Sequence, residues 1–558
     1  MSVRALRAAL QLTQPAIKSP APTDGRDRRL WHAAALILCA LFFGLQASTL
    51  NYGTAINNVE TVAKYRVRTL DKAMRTLERD NILVNPSGLK ETVDKWMMRF
   101  KLYSVESDDP FIIMALARIR PQELRFDPGV YFYGGAFLYP LGGWYYALTK
   151  VGAIRLGPLP QMLAHPDRMD AVWTLGRLFV LLAVTVSALI FYRTVLLVAA
   201  PGVALSCLGI YVFCPSAVIF SQMLKPHWYA LLWVNLVILL LLRLFINERW
   251  STVELLAVAV ATGLAVGSVT TNGVFAVGLW VGLLLAAHRG YLRWSVPLFV
   301  VPAVAIVTFV ITNPYVFLNW SNFLAERSKQ LGDWFTFSLD PRNLALFVYN
   351  SVLPGLGVVA ALLVICAVLF RLVQPSWRYE RWVAVAIIVP AAFFAAATAE
   401  MSAWHINLRF IAFIIPVALL FLAATQIRGK GLVLGAAMVL TAAQSIPMHL
   451  AYRDENNPAR STRIQAAMWI NTNIPPGTGI IVATPAPYTT PPFDFTRYPL
   501  NQPGAKYFVR VDPEPDNPIR PGFPAKLVKR FTPRLSSRIF PLVYGFINPQ
   551  VSIYLRLH

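Results

Sequence analysis

Eleven apolar runs lie between Trp31 and Leu450, and they restrict the fold before any motif is considered. A helix of about 20 apolar residues crosses the hydrocarbon of a bilayer. Only a helix or a closed barrel satisfies its own backbone there. The runs are Trp31–Leu50, Val172–Tyr192, Val203–Phe220, Trp228–Phe245, Val253–Val269, Val274–Ala287, Trp294–Ile311, Leu344–Phe370, Trp382–Thr398, Phe410–Ala424 and Leu432–Leu450. Several are short, and only Thr270–Gly273 divides the fifth from the sixth. Hydrophobic residues form 56% of the chain and charged residues 14%. That balance belongs to a polytopic membrane protein. The expected fold class is all-α with about 11 transmembrane helices, plus a small C-terminal extracytoplasmic α/β domain.

The net charge of +23 does not indicate nucleic acid. Lys and Arg are scattered over short loops between apolar runs, as orientation signals are. A nucleic-acid protein would gather them on one soluble module. With the N-terminus inside, the inner segments hold 16 Lys and Arg, and the short outer loops hold five: Lys225, Arg327, Lys329, Arg342 and Arg409. The expectation is a multi-pass protein of a bacterial inner or plasma membrane, N-terminus cytoplasmic and C-terminus extracytoplasmic. Residues 1–30 carry six of the inner basic residues and no apolar core, so they read as a cytoplasmic tail. The membrane module then covers 31–450 and the outer domain 451–558. Cys39, Cys207, Cys214 and Cys366 all fall in apolar runs and read as small buried hydrophobes.

Three outer regions stand out. Asn51–Asp170 is far longer than a connector. Within it Val59, Val62, Leu70, Met74 and Leu77 share a helical face, and Leu89–Tyr103 reads as a second helix. Tyr131–Val151 is apolar and aromatic but holds Pro140 and four glycines. It reads as an interfacial segment, with a further full span as the alternative. The second region, Thr312–Asn343, includes a polar helix over Asn322–Leu331. In the third, Ser461–Asn473 reads as a capped helix, Pro475–Gly477 as a turn, and Gly479–Thr484 and Lys506–Val511 as strands.

Asp108 and Asp109 are adjacent carboxylates in the first outer region. At a membrane surface such a group can act as a general base, or cap a helix whose first turn contains Pro110. A divalent ion on the pair is also compatible with carboxylate chemistry. No His/Cys/Asp cluster has zinc spacing. No Walker loop or dinucleotide fingerprint is present.

The surrounding segments resemble the GT-C membrane glycosyltransferases, in the branch similar to protein mannosyltransferases and lipid A aminoarabinose transferases. The residues that carry this are Ser107 to Arg118, then Phe126-Asp127-Pro128-Gly129 and Tyr131-Phe132-Tyr133-Gly134-Gly135 to Tyr139. Asn313-Pro314-Tyr315-Val316-Phe317 looks like the family's Pro-Tyr segment. Leu408-Arg409-Phe410 to Pro416 looks like its late Arg element. Arg463 to Gly477 resembles the start of its outer domain. Asp109 stands where Glu is common, and the stretch up to Val105 is longer than usual.

The resemblance implies a sugar donor on polyprenyl phosphate, an unidentified glycan, lipid or protein acceptor, and inversion at the anomeric carbon. Asp108 would then be the base and Asp109 its orienting or acceptor-binding neighbour. Asp109→Asn should accordingly do less harm than Asp108→Asn. Arg409 and Lys225 would bind the donor phosphate; His227, His405 and Tyr315 would line the site. The resembled branch generally works without a metal, so no cofactor is expected. The alternatives are a polyprenyl-linked glycan transporter or flippase, which needs charges deep in its spans, and a non-catalytic subunit of an envelope complex.

Overall fold

The computed structural model describes residues 25–54, 93–106, 109–157, 159–334, 338, 340–373, 378–397, 409, 412–425, 429–482, 490–512, 522–534 and 547–557. The helical face from Val59 to Leu77 lies outside the described residues, as do Asp108 and His405.

The described chain is mostly helical. Five helices are long and apolar enough to cross a membrane: Arg29–Ala47, Pro166–Val195, Pro226–Asn247, Thr270–His288 and Lys430–Glu455. Shorter apolar helices occupy the other runs: Pro201–Phe213, Thr252–Ser268, Val296–Thr312, Val358–Phe370, Ile388–Ala397 and Ile414–Ala424. Many large apolar side chains point outward, among them Leu36, Ile37 and Leu41, as lipid-facing residues do. Cys366 departs from the buried reading. It is exposed on the same helical stripe as the exposed Leu362, Leu369 and Phe370.

Local chemistry breaks two expected spans. The run Val203–Phe220 stops at Cys214, which is extended (φ −64°, ψ 145°) before the helix restarts as Pro215–Phe220. Pro215 disfavours the helical region for the residue before it. The run Leu344–Phe370 is interrupted at Gly357 (φ 94°, ψ 133°), a backbone state that suits glycine. The run after Val253 divides as expected. Val269 is extended, and Asn272 Nδ2 caps Ala265 O at 3.0 Å between helices Thr252–Ser268 and Gly273–His288.

Gly135–Lys150 is one helix in spite of Pro140. A proline at this position leaves the carbonyl four residues back without its helical donor. That carbonyl, Ala136 O, accepts instead from the Tyr229 hydroxyl at 3.1 Å. The polar helix of the second outer region runs over Trp320–Trp334.

The C-terminal residues form a four-stranded sheet in the order β1-β2-β4-β3, with β1 Ile480–Val482, β2 Tyr507–Asp512, β3 Ala525–Phe531 and β4 Gln550–Arg556. β1 and β2 are parallel and the other pairs antiparallel. The helix Thr462–Asn473 covers it, with Ser461 as the N-cap accepting from Ile464 N. This domain shares its core with a distant segment. Trp96, Met97 and Phe100 of helix Val93–Leu102 are buried among Ile470, Phe493, Phe495, Val509 and Ile553. Phe100 stacks on Phe495 at 5.6 Å. A buried pair, Arg463 Nη1 to Glu455 Oε1 at 2.8 Å, joins the domain to the end of Lys430–Glu455.

Candidate functional site

Asp109 begins the helix Asp109–Arg118, and Pro110 follows where no backbone donor is required. Its carboxylate is fully buried. Oδ2 accepts from Arg177 Nη2 at 2.8 Å and Nε at 3.2 Å, and from Ser104 Oγ at 3.2 Å. Oδ1 accepts from the Leu224 backbone N–H at 3.0 Å. Arg177 in turn donates through Nη1 to Leu50 O and Tyr52 O at 2.8 and 2.9 Å. Its guanidinium lies 3.9 Å from the centre of the Tyr52 ring. One arginine thus ties the exit of the first apolar helix, the second apolar helix and the aspartate loop together.

A second buried pair lies three residues earlier. Lys225 Nζ donates to Glu106 Oε1 at 2.9 Å, and both side chains are fully buried. Glu106 and Asp109, which bracket residues 107–108, are therefore each fixed to a cation of the helical bundle. The sequence reading had placed Lys225 at a phosphate; its described ionic partner is Glu106. Among the described residues, no three His, Cys, Asp or Glu come together as a metal site.

His227 follows Lys225 closely and is buried, with its ring 6.1 Å from that of Tyr133 and 6.2 Å from that of Phe220. Tyr133 borders a narrow cleft with Tyr131, Tyr139, Asn313 and Tyr315. Two motif segments far apart in sequence meet here. Gly135 N donates to Asn313 Oδ1 at 2.7 Å, and Gly134 N to Ser268 O at 3.0 Å. A Cβ on Gly134 would sit 1.7 Å from Gly267 O, and one on Gly135 would sit 2.0 Å from Thr312 O. The paired glycines are what allow this approach.

The outer helix Trp320–Trp334 holds the other side of the turn. Glu326 accepts from Tyr131 N at 3.0 Å and Phe132 N at 2.7 Å. Arg327 Nη2 donates to Tyr131 O at 3.0 Å. Asp127 accepts from Gly129 N at 2.9 Å and from the Tyr131 hydroxyl at 3.1 Å, and it also bonds Asn319. Burial pushes the Glu326 carboxyl above the usual range, against the pull of the two backbone donors, Arg327 and Arg118. Burial likewise raises the Tyr131 hydroxyl to about 12.

The structure thus brings Asp109, Lys225, His227 and Tyr315 into one neighbourhood of linked contacts. Arg409 is buried shortly before helix Ile414–Ala424. Sequence reasoning missed Arg177, Glu106, Asp127 and Glu326. Arg177 did leave a signal, since it is a lone charge within the run Val172–Tyr192, where ionisable residues mark function or a buried partner.

No protein-family model matches the chain, and no curated protein matches it.

Proposed function

We propose that the chain is an inverting membrane glycosyltransferase of the GT-C type, using a polyprenyl-phosphate-linked sugar. One observation supports this most. The residues on both sides of Ser107-Asp108 are clamped by buried ion pairs, one to helix Pro166–Val195 and one to Lys225 just before helix Pro226–Tyr229. A base must be held in position to work well. Asp109, with both oxygens engaged by donors, is suited to hold the loop. Asp108 is then the candidate base.

The acceptor O–H or N–H gives its proton to the Asp108 carboxylate. Its lone pair forms a bond to the anomeric carbon from the face opposite the phosphate. The bond from that carbon to the phosphate oxygen breaks, and polyprenyl phosphate leaves with the electron pair. The leaving group is already a stable anion, so no strong acid is required. This reading goes with a cytoplasmic N-terminus and an extracytoplasmic C-terminus across about eleven spans. Arg177 does not favour the transporter alternative, because Asp109 and two backbone carbonyls engage it.

The direct test supplies purified protein in nanodiscs with polyprenyl-phosphate-linked pentoses and hexoses. Release of polyprenyl phosphate that depends on an added acceptor is expected for one of them. Failure to bind or cleave every such lipid would remove the proposal.

Arg409 is the first candidate for the donor phosphate, because a guanidinium can grip two oxygens at once. Arg409→Ala should weaken polyprenyl-phosphate binding by about tenfold or more, and Arg409→Lys by less. Wild-type affinity in Arg409→Ala would make it a structural residue and move the phosphate site elsewhere.

A further inference from the structure

The strand β3, Ala525–Phe531, is unlike the rest of its sheet. Its burial pattern is exposed through the middle five residues, so both faces meet the surroundings. β4 beside it is buried over most of its length. β3 is also the last strand in the order, with one edge unpaired among the described residues. It carries Lys526, Lys529 and Arg530 on either side of the exposed pair Leu527 and Val528. The exposed Arg556 is paired in register with Ala525. Between residues 517 and 558 the sequence contains no Asp or Glu.

The position of this strand matters as much as its charge. Pro533, two residues beyond β3, lines a hollow together with Pro447, Leu450 and Ala451, in the last apolar turns of Lys430–Glu455. Arg534 is anchored there too, with Nη2 2.8 Å from Asp454 Oδ1 and Nε 3.0 Å from Oδ2. Two extended residues reach at most about 7 Å. The Phe531 end of β3 therefore lies within about 7 Å of a residue that packs near the end of an apolar helix long enough to cross a bilayer. Headgroups surround the ends of helices that span a bilayer.

We infer that β3 is a membrane-surface contact that binds anionic phospholipid headgroups. Lysine and arginine beside a bilayer are drawn to anionic lipid over a range of about a Debye length. Aliphatic side chains between them suit the boundary layer, as in other interfacial elements. An acidic soluble partner would also satisfy the charge, but it would not account for the strand's nearness to the end of the apolar helix. The inference does not depend on the reaction proposed above.

The test is hydrogen–deuterium exchange of the full-length protein in two nanodisc types, phosphatidylcholine alone and phosphatidylglycerol. In phosphatidylglycerol the peptide over 525–531 should exchange at least about fivefold more slowly. Exchange in β4 should be the same in both. The variant Lys526→Gln/Lys529→Gln/Arg530→Gln should lose the lipid dependence while β4 stays protected, which shows that the sheet remains folded. Equal exchange of 525–531 in the two lipids, with β4 protected in both, would overturn the inference. So would protection that appears only when an acidic peptide is added.

Discussion

Asp108→Asn should lower sugar transfer by about a hundredfold or more, with the yield of folded, membrane-inserted protein unchanged. Asp109→Asn should do the reverse of a mild lesion: it should reduce the folded protein itself. The sequence alone suggested that the second substitution would do less harm. The structure changes the expectation because Asp109 is buried with Arg177 on it. An amide in its place keeps the shape but removes the charge that balances a buried guanidinium. The two variants therefore separate on two measurements, activity per folded molecule and the fraction folded by size exclusion. Wild-type turnover in Asp108→Asn would remove the base from the mechanism. It would leave residues 108 and 109 with the helix-capping role alone.

Arg177→Met should destabilise the protein by about 3–5 kcal/mol, because breaking a buried pair leaves an uncompensated charge. It also frees the carbonyls of Leu50 and Tyr52, which lose their donor. The informative comparison is the double variant Asp109→Asn/Arg177→Met. Removing both charges of a buried pair usually costs much less than removing one. The double variant should melt closer to wild type than Arg177→Met does. Additive losses in melting temperature would mean that Arg177 acts through the two carbonyls and the Tyr52 ring, not through Asp109.

The helices were largely legible because their signal is local. Every apolar run contains an apolar helix, and Ser461 caps Thr462–Asn473 as its side chain predicts. Span lengths were less legible. A hydropathy window does not register that Pro215 dictates the conformation of Cys214, or that Gly357 adopts a backbone state outside the helix. β3 and β4 were both missed. β3 places Leu527 and Val528 side by side between basic residues, so it lacks the alternation by which strands are recognised; β4 does alternate, with Val551, Ile553 and Leu555 apolar, and that signal was overlooked. At the site, the acidic loop was visible as a motif. Its partners were not, because Arg177 and Lys225 meet Asp109 and Glu106 only through tertiary packing. Arg177 looked like one polar residue in an apolar span, and Lys225 like a flanking anchor.

The helix Val93–Leu102 imposes an order of assembly. Its buried face, Trp96, Met97 and Phe100, emerges early in synthesis. Its partners Phe493, Phe495 and Ile553 emerge roughly 400 residues later. At about 5–20 residues per second that interval is on the order of 20–80 s. During it the apolar face has no core to enter. The helix Val93–Leu102 can therefore reach its final packing only after nearly the whole chain has been made. A ribosome stalled before the last strand would leave a nascent chain in which Trp96, Met97 and Phe100 still lack part of the core that buries them.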